Sequence, residues 1–226
     1  MADGQENVSE ALERLKKEVA ELKAKPAVLE VTERLCNPAP LGLAAFGLTT
    51  LVLNAFNSGL VDKSSEGLVW PLGIFFGGLA QFAAGMWEAK KNNTFGFTAF
   101  SSFGAFWMFL GLTKILQTTK AIGPVAPEGS SLFLVAWGIF TAYMTVGTLK
   151  ISVALQSVFV TLTILFFLLA IGAHDATWQK IAGWEGMICA GTALYASFAI
   201  VTNETWGRQV LPLGVVTKAP TPLYRK

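Results

Sequence analysis

Asn37-Pro38-Ala39-Pro40-Leu41-Gly42-Leu43 opens the first of six long apolar stretches in a chain of 226 residues. Proline lacks an amide proton and fixes φ, so Pro38 and Pro40 suit the first turn of a helix, where donors are unpaired anyway. The Asn37 side chain can accept from those donors. The stretch predicts a capped helix start at a bilayer face, where free N–H groups and the positive end of the helix dipole meet water. A small anion can pause there, which makes Asn37 a candidate contact.

Composition agrees with a membrane chain. Hydrophobic residues make up 53% and charged residues 14%, with mean hydropathy +0.51. A soluble domain carries about a quarter charged residues. The apolar residues fall in blocks at roughly 40–60, 69–88, 95–116, 131–149, 152–173 and 182–202, each near the twenty residues or so that cross a bilayer core. The expected fold class is an all-α membrane protein of six transmembrane helices per subunit. Its expected parts are a cytoplasmic helix in residues 1–35, a transport-sized membrane domain in 36–205 and a polar, irregular cytoplasmic tail in 206–226. The charged start of the chain does not read as a cleavable signal.

Of seventeen Lys and Arg residues, thirteen lie in the N-terminal region, the even loops and the C-terminus. Only Lys63, Lys114, Lys120 and Lys180 fall on the other side. The positive-inside rule therefore places both termini in the cytoplasm of a multi-pass protein of the plasma or inner membrane. A net charge of +2 gives no support to nucleic-acid binding. Cys36 and Cys189 stand far apart and on no metal-ligand spacing, so neither a disulfide nor a metal is implied.

Residues 5–25 read as a soluble helix ended by Pro26. Val8, Leu12, Leu15, Val19 and Leu22 recur at spacings of four and three, the a and d pattern of a short coiled coil. The run is short for a stable dimer alone, but tethering to a membrane assembly raises local concentration. It reads as an oligomerisation helix, with an amphipathic helix on the membrane surface as the other reading.

Catalytic constellations are absent from the sequence. His174 stands beside Asp175 with no second histidine and no cysteine near it, and there is no phosphate-binding glycine loop or haem motif. An enzyme needs such groups, so neither an enzyme nor a cofactor is expected. What the spans contain is neutral polarity on defined faces. Thr50, Asn54 and Asn57 share one helical face, with Phe46 a turn earlier. Thr94, Thr98, Ser101 and Ser102 form a second stripe, and Thr141, Thr145 and Thr148 a third. Gln81 and Gln156 are isolated carboxamides. Ser and Thr often bond their own helix carbonyls or join helices, but a carboxamide in hydrocarbon is costly and must find partners. Converging stripes suggest a hydrated path with donors and few fixed charges. Glu88 is expected to cap a helix or pair with Lys90 or Lys91. Lys114, near a span end, snorkels or attracts an anion.

Several motifs, in order, resemble the acetate uptake transporter family, which includes bacterial succinate–acetate permeases and fungal ammonia/acetate exporters. They begin at Asn37-Pro38-Ala39-Pro40-Leu41-Gly42-Leu43. They continue through Gly77-Gly78-Leu79-Ala80-Gln81, Asn93-Thr94-Phe95-Gly96-Phe97-Thr98-Ala99-Phe100 and Gly147-Thr148-Leu149-Lys150. They end with Ala182-Gly183-Trp184 and Gly207-Arg208-Gln209-Val210-Leu211-Pro212. The resemblance covers about residues 36–214 and leaves the N-terminal helix outside. It implies a homo-oligomer, a hexameric ring of six-helix subunits, that moves acetate and in some members succinate, with protons or by a channel-like route. It also implies an apolar constriction at Phe46, Phe103 and Leu162, with Ala193 facing the path. The family often has Tyr where Phe103 stands. Thr50, Asn54, Gln81 and Thr98 are the expected polar cargo contacts, from the stripes and from the resemblance together.

Acetate has one methyl and one carboxylate. Amide and hydroxyl donors would bind it weakly and release it, and a dry constriction would disfavour the bare anion and pass acetic acid equivalents. The alternative is a channel for small neutral solutes such as ammonia or urea, which a dry pore also suits. A membrane scaffold without transport is a third reading.

Overall fold

The computed structural model describes residues 3–24 and 35–216, with side chains of the N-terminal helix described from Val8 to Glu21. The chain divides into two compact units, Met1–Asn37 and Pro38–Lys226. In the first, α1 (Asp3–Ala24) exposes Val8, Leu12, Leu15 and Val19 along one stripe, and Lys16 Nζ lies 2.8 Å from Glu13 Oε1 on another face. Pro26, expected to end this helix, lies outside the described residues.

In the second unit, six helices are long and apolar enough to cross a membrane. They are α2 (Ala39–Asn57), α3 (Lys63–Lys90), α4 (Thr94–Thr118), α5 (Pro127–Thr148), α6 (Val153–Gly172) and α7 (Ala176–Thr205). Packing runs in the order α4, α3, α2, α7, α6, α5, and a smaller contact returns α5 to α4. The helices therefore close a ring around one apolar centre.

Four of the six spans start where the sequence supplies a side-chain acceptor for free N–H groups. Asn93 Oδ1 accepts from Gly96 N at 3.1 Å and Ser152 Oγ from Leu155 N at 3.2 Å. Asp175 Oδ1 accepts from Thr177 N at 2.8 Å and Trp178 N at 3.0 Å. That last cap starts α7 at Ala176 rather than near 182, because a cap decides a helix start even where Gln179 and Lys180 dilute the apolar run. At α2 the N-cap position belongs to Pro38, whose carbonyl accepts from Gly42 N at 3.2 Å, so Asn37 stands one residue further out than expected. Ser197 Oγ of α7 donates to the Pro40 carbonyl at 2.7 Å and pins this first turn.

The second span is not a plain α-helix. It opens as a 3₁₀ turn, Lys63–Leu68, capped by Asp62, and hydrogen bonds from Ser64 hold the Asp62 carboxyl below its ordinary carboxylate value. After one α turn it widens into a π-helix over Gly73–Ala80 and returns to α at Gln81. A Cβ at Gly78 would stand 2.8 Å from the Gly73 carbonyl oxygen, five residues back, so this winding needs glycine there. Such π segments are rare and gather at functional sites.

The threonine stripe of α5 joins helices. Thr141, Thr145 and Thr148 donate to carbonyls one turn back at 2.6–2.8 Å, and Thr145 also reaches Thr163 Oγ1 and the Phe159 carbonyl of α6 at 3.2 Å. The tail after α7 folds back. Asn203 Oδ1 accepts from Val210 and Leu211 N at 2.7 and 2.9 Å, Tyr195 donates to Pro212 O at 2.7 Å, and Gly214 O accepts from Val153 N at 2.9 Å. The described part of the tail, though it forms no regular helix or strand, is thus fastened to α6 and α7.

Candidate functional site

The centre of the ring is aromatic. Phe103 of α4 is buried among Phe46, Trp137, Phe140, Phe159 and Phe166, with ring centroids 6.1, 5.7, 5.5, 6.0 and 6.4 Å away. Leu162 of α6 and Ala193 of α7 belong to the same buried cluster. The four residues Phe46, Phe103, Leu162 and Ala193 therefore come from four different helices to one apolar place.

A polar seam leads onto this centre. Thr50, one turn from Phe46 on α2, is buried with its Oγ1 unpartnered within the chain, and so is its neighbour Thr49. Gly77, Gln81 and Gly85 follow at i, i+4 and i+8 on α3 and so share a face. A Cβ at Gly77 would stand 2.8 Å from Thr49 Oγ1 and 2.9 Å from the Trp107 ring, and one at Gly85 would press on Ser101. Gln81 stands between these two points, buried, with Oε1 unpartnered. Trp107 Nε1 and Ser101 Oγ are likewise buried without a partner in the chain. Buried polar atoms are nearly always hydrogen-bonded, so these unpartnered donors and acceptors mark a polar seam between α2, α3 and α4. Thr98 is half-buried one turn before Ser101 on α4.

Asn54 is held differently. Its Nδ2 donates to the Thr50 carbonyl at 2.9 Å, and its Oδ1 accepts from Asn57 Nδ2 at 3.1 Å. Asn57 Oδ1 in turn accepts from Gln179 Nε2 of α7 at 2.9 Å. This relay ties the α2–α7 seam at the end of the bundle that carries Asp175. Asn54 keeps one amide proton beyond these bonds.

Glu88, buried at the other end of α3, accepts from Asn93 Nδ2 at 2.8 Å. The expected pairing with Lys90 or Lys91 is not formed. Asn93 fixes the turn between α3 and α4 and offers a short neutral donor there, while Lys90 reaches over the Trp87 ring at 5.8 Å. Both oxygens of Glu185 on α7 are covered and unpartnered within the chain, and the helices packed on α7, namely α2 and α6, carry no charged residue.

Residues 20–213 match the GPR1/FUN34/yaaH family. The chain belongs to this family. The match begins inside α1, ahead of residue 36, where the motifs start. The Succinate-acetate/proton symporter SatP of Escherichia coli K12 is 49% identical over 185 residues, covering 80% of this chain and 96% of that protein. Acetate permease A of Emericella nidulans is 36% identical over 210 residues, covering 85% of this chain and 70% of that protein. A solved structure of the bacterial acetate channel SatP superimposes with TM-score 0.77 at 45% identity, covering 80% of this chain and 100% of that one. The six-helix ring is thus a family fold.

Thr49 and Trp107 were not singled out from sequence, and Ser101 was read only as part of the α4 stripe, not as a cargo contact. Thr49 lies beside the Thr50–Asn54 face rather than on it, and indole in a span reads as packing. Gly77 and Gly85, spaced one helical turn either side of Gln81, are the signal that could have found them, since each marks where another helix meets that face.

Proposed function

We propose that this chain transports acetate and related small carboxylates, with succinate as a second cargo, across the membrane. The observation that carries the reading is the line of buried, unpartnered polar atoms from Thr49, Thr50 and Gln81 that meets the apolar cluster of Phe46, Phe103, Leu162 and Ala193. The Thr49 and Thr50 hydroxyls donate to a carboxylate and Gln81 Oε1 accepts from the protonated acid, without the firm grip of a fixed cation. The apolar cluster acts as the constriction, which water and bare anions cross poorly. Net movement is then of acid equivalents, so a proton accompanies each carboxylate. Asn54, one turn from Thr50 on α2, offers its remaining amide proton beside the route. The 49% identity to a protein named for succinate, acetate and protons supports the same cargo.

The test is radiolabelled acetate entry into liposomes holding the purified protein. Saturable entry, stimulated by an inward proton gradient, is expected. Gln81→Leu keeps the volume but removes the carboxamide, and a fall of roughly tenfold in kcat/KM is expected, the size of one lost hydrogen bond. Entry no greater than into empty liposomes sinks the reading, and uptake unchanged when the gradient is collapsed sinks the proton coupling.

We propose further that six copies form a ring with both termini in the cytoplasm, and that α1 helps gather the copies through Val8, Leu12, Leu15 and Val19. Cys36 is exposed and Cys189 buried. A membrane-impermeant maleimide polymer should therefore tag Cys36 only after cells are permeabilised, and partial tagging should give six mass steps on a native gel. Tagging in intact cells overturns the orientation, and any other number of steps overturns the ring of six.

A further inference from the structure

At the bundle end that carries Asp175 and Asn57, the last turns of α4 and the first turns of α3 border a cavity of about 810 Å³. Glu66, Trp70, Lys114, Gln117 and Lys120 line it, together with the turn 121–124. Lys114 Nζ lies 5.6 Å from the centre of the Trp70 ring. Lys120 takes a left-handed backbone, φ +59°, and its N–H donates to the Gln117 carbonyl at 3.0 Å, which turns the following residues over the cavity. No ion pair joins Lys114 or Lys120 to Glu66. Neither cavity lysine is therefore spent on Glu66, and the lining carries two positive charges against one negative.

The cavity continues the α3–α4 seam. Trp107, Gly111 and Lys114 fall at i, i+4 and i+7 on α4. Gly111 seats against Trp70, where a Cβ would stand 2.7 Å from the Trp70 carbonyl oxygen, and Trp107 meets Thr49 at Gly77. One helix face thus leads from the polar seam to Lys114, and the turn after the helix brings Lys120 to the same cavity.

We propose that this cavity recruits small carboxylates at the mouth of the α3–α4 seam, a role that rests on the transport reading above. Lys114 and Lys120 supply the attraction, Gln117 supplies a neutral donor, and Glu66 weakens the site. Lysine is a mobile point charge without the rigid fork of arginine, so it concentrates a carboxylate without fixing it. Charged clefts raise local concentration and capture rate in this way, and salt removes the effect. Lys120, just past the C-terminus of α4, also complements the helix dipole. That role does not extend to Lys114, one turn inside the helix, and it predicts changed stability rather than changed capture.

The experiment measures initial acetate uptake in liposomes at low ionic strength for wild type, Lys114→Gln with Lys120→Gln, and Glu66→Gln. The paired lysine variant is expected to raise KM by about threefold to tenfold with kcat unchanged, in the lower range of electrostatic steering. Glu66→Gln is expected to lower KM. Both differences should vanish near 1 M inert salt, where screening acts within about 3 Å. An unchanged KM in the paired variant, or a Glu66→Gln shift in the same direction as the lysine pair, overturns the site. Saturation-transfer NMR of acetate on the purified full chain provides an arm that needs no flux. If wild type shows no uptake but its acetate signal falls in the paired variant, the transport reading fails and the site stands. If the signal is unchanged in the paired variant and no uptake occurs, the site fails as well.

Discussion

Gly186→Val is expected to lower the melting temperature of the detergent-purified protein by about 6–12 °C and to leave little monodisperse material after size exclusion. Gly186 of α7 lies flush against the Asn54 carboxamide of α2. Even one added carbon would overlap the Asn54 side chain, with its Oδ1 only 2.6 Å from the new atom. The carboxamide cannot simply swing away. It is bonded to the Thr50 carbonyl and to Asn57, and Asn57 is bonded to Gln179 of α7. Nor can the helices part locally, because Gly183, one turn away, sits directly on the backbone of Asn57 and Ser58. Overpacking costs about 1–3 kcal/mol, and each hydrogen bond broken in relieving it adds about 1 kcal/mol. A total near 3 kcal/mol corresponds to the stated shift for a chain of this size. A double-mutant cycle makes the cause specific. Asn54→Ala should cost less in the Gly186→Ala background than in wild type, because the clash and the carboxamide disappear together. A Gly186→Val protein that melts within about 2 °C of wild type would show that the α2–α7 seam relaxes at little cost, and the argument from close packing would be lost.

How far this seam could be read in advance depends on what kind of information each residue carries. The six spans follow from block length and hydropathy, which need no tertiary contact. Thr50, Asn54 and Asn57 fall on one face by spacing alone, and they do lie buried together. Spacing does not say what covers that face. The relay to Gln179 crosses 122 residues of sequence, and its consequence is that Asn54 joins two helices as well as facing inward. The π turn in α3 was hidden for a related reason. Gly73 and Gly77 read as a small-residue face for close helix packing, and nothing in that spacing marks the wider winding over Gly73–Ala80. Glu88 was expected to cap a helix or to pair with a lysine, whereas Asn93, placed at the same turn, supplies a shorter and less mobile donor. Phe46, Phe103, Leu162 and Ala193 could not be grouped by any periodicity, since they come from four helices. The resemblance grouped them, and the fold buries all four in one cluster.

Phe103→Ala is expected to open the centre of the bundle. Five aromatic rings surround Phe103 at centroid distances of 5.5–6.4 Å, contributed by α2, α5 and α6. Removing the ring takes away the contact all of them share, and interiors close such voids only partly. In a soluble core the change costs about 3–5 kcal/mol, so a thermal melt must first establish that the variant is folded. Under the transport reading, the void lies where the route is narrowest. Water can then enter a place from which the rings exclude it, and the barrier to protons and to bulkier acids falls together. Vesicles loaded with a pH-sensitive dye are expected to lose an imposed gradient about tenfold faster than wild type without any cargo, the equivalent of roughly 1.4 kcal/mol off the barrier. The preference for acetate over butyrate is expected to shrink by a similar factor. Phe103→Leu keeps most of the apolar volume and should remain nearly proton-tight, which separates loss of the seal from loss of the aromatic ring. If folded Phe103→Ala holds its gradient and its cargo preference as wild type does, the apolar cluster is a structural core and the route runs elsewhere. If both properties fall together, the residue that joins four helices at the centre is also the one that keeps water and larger acids out.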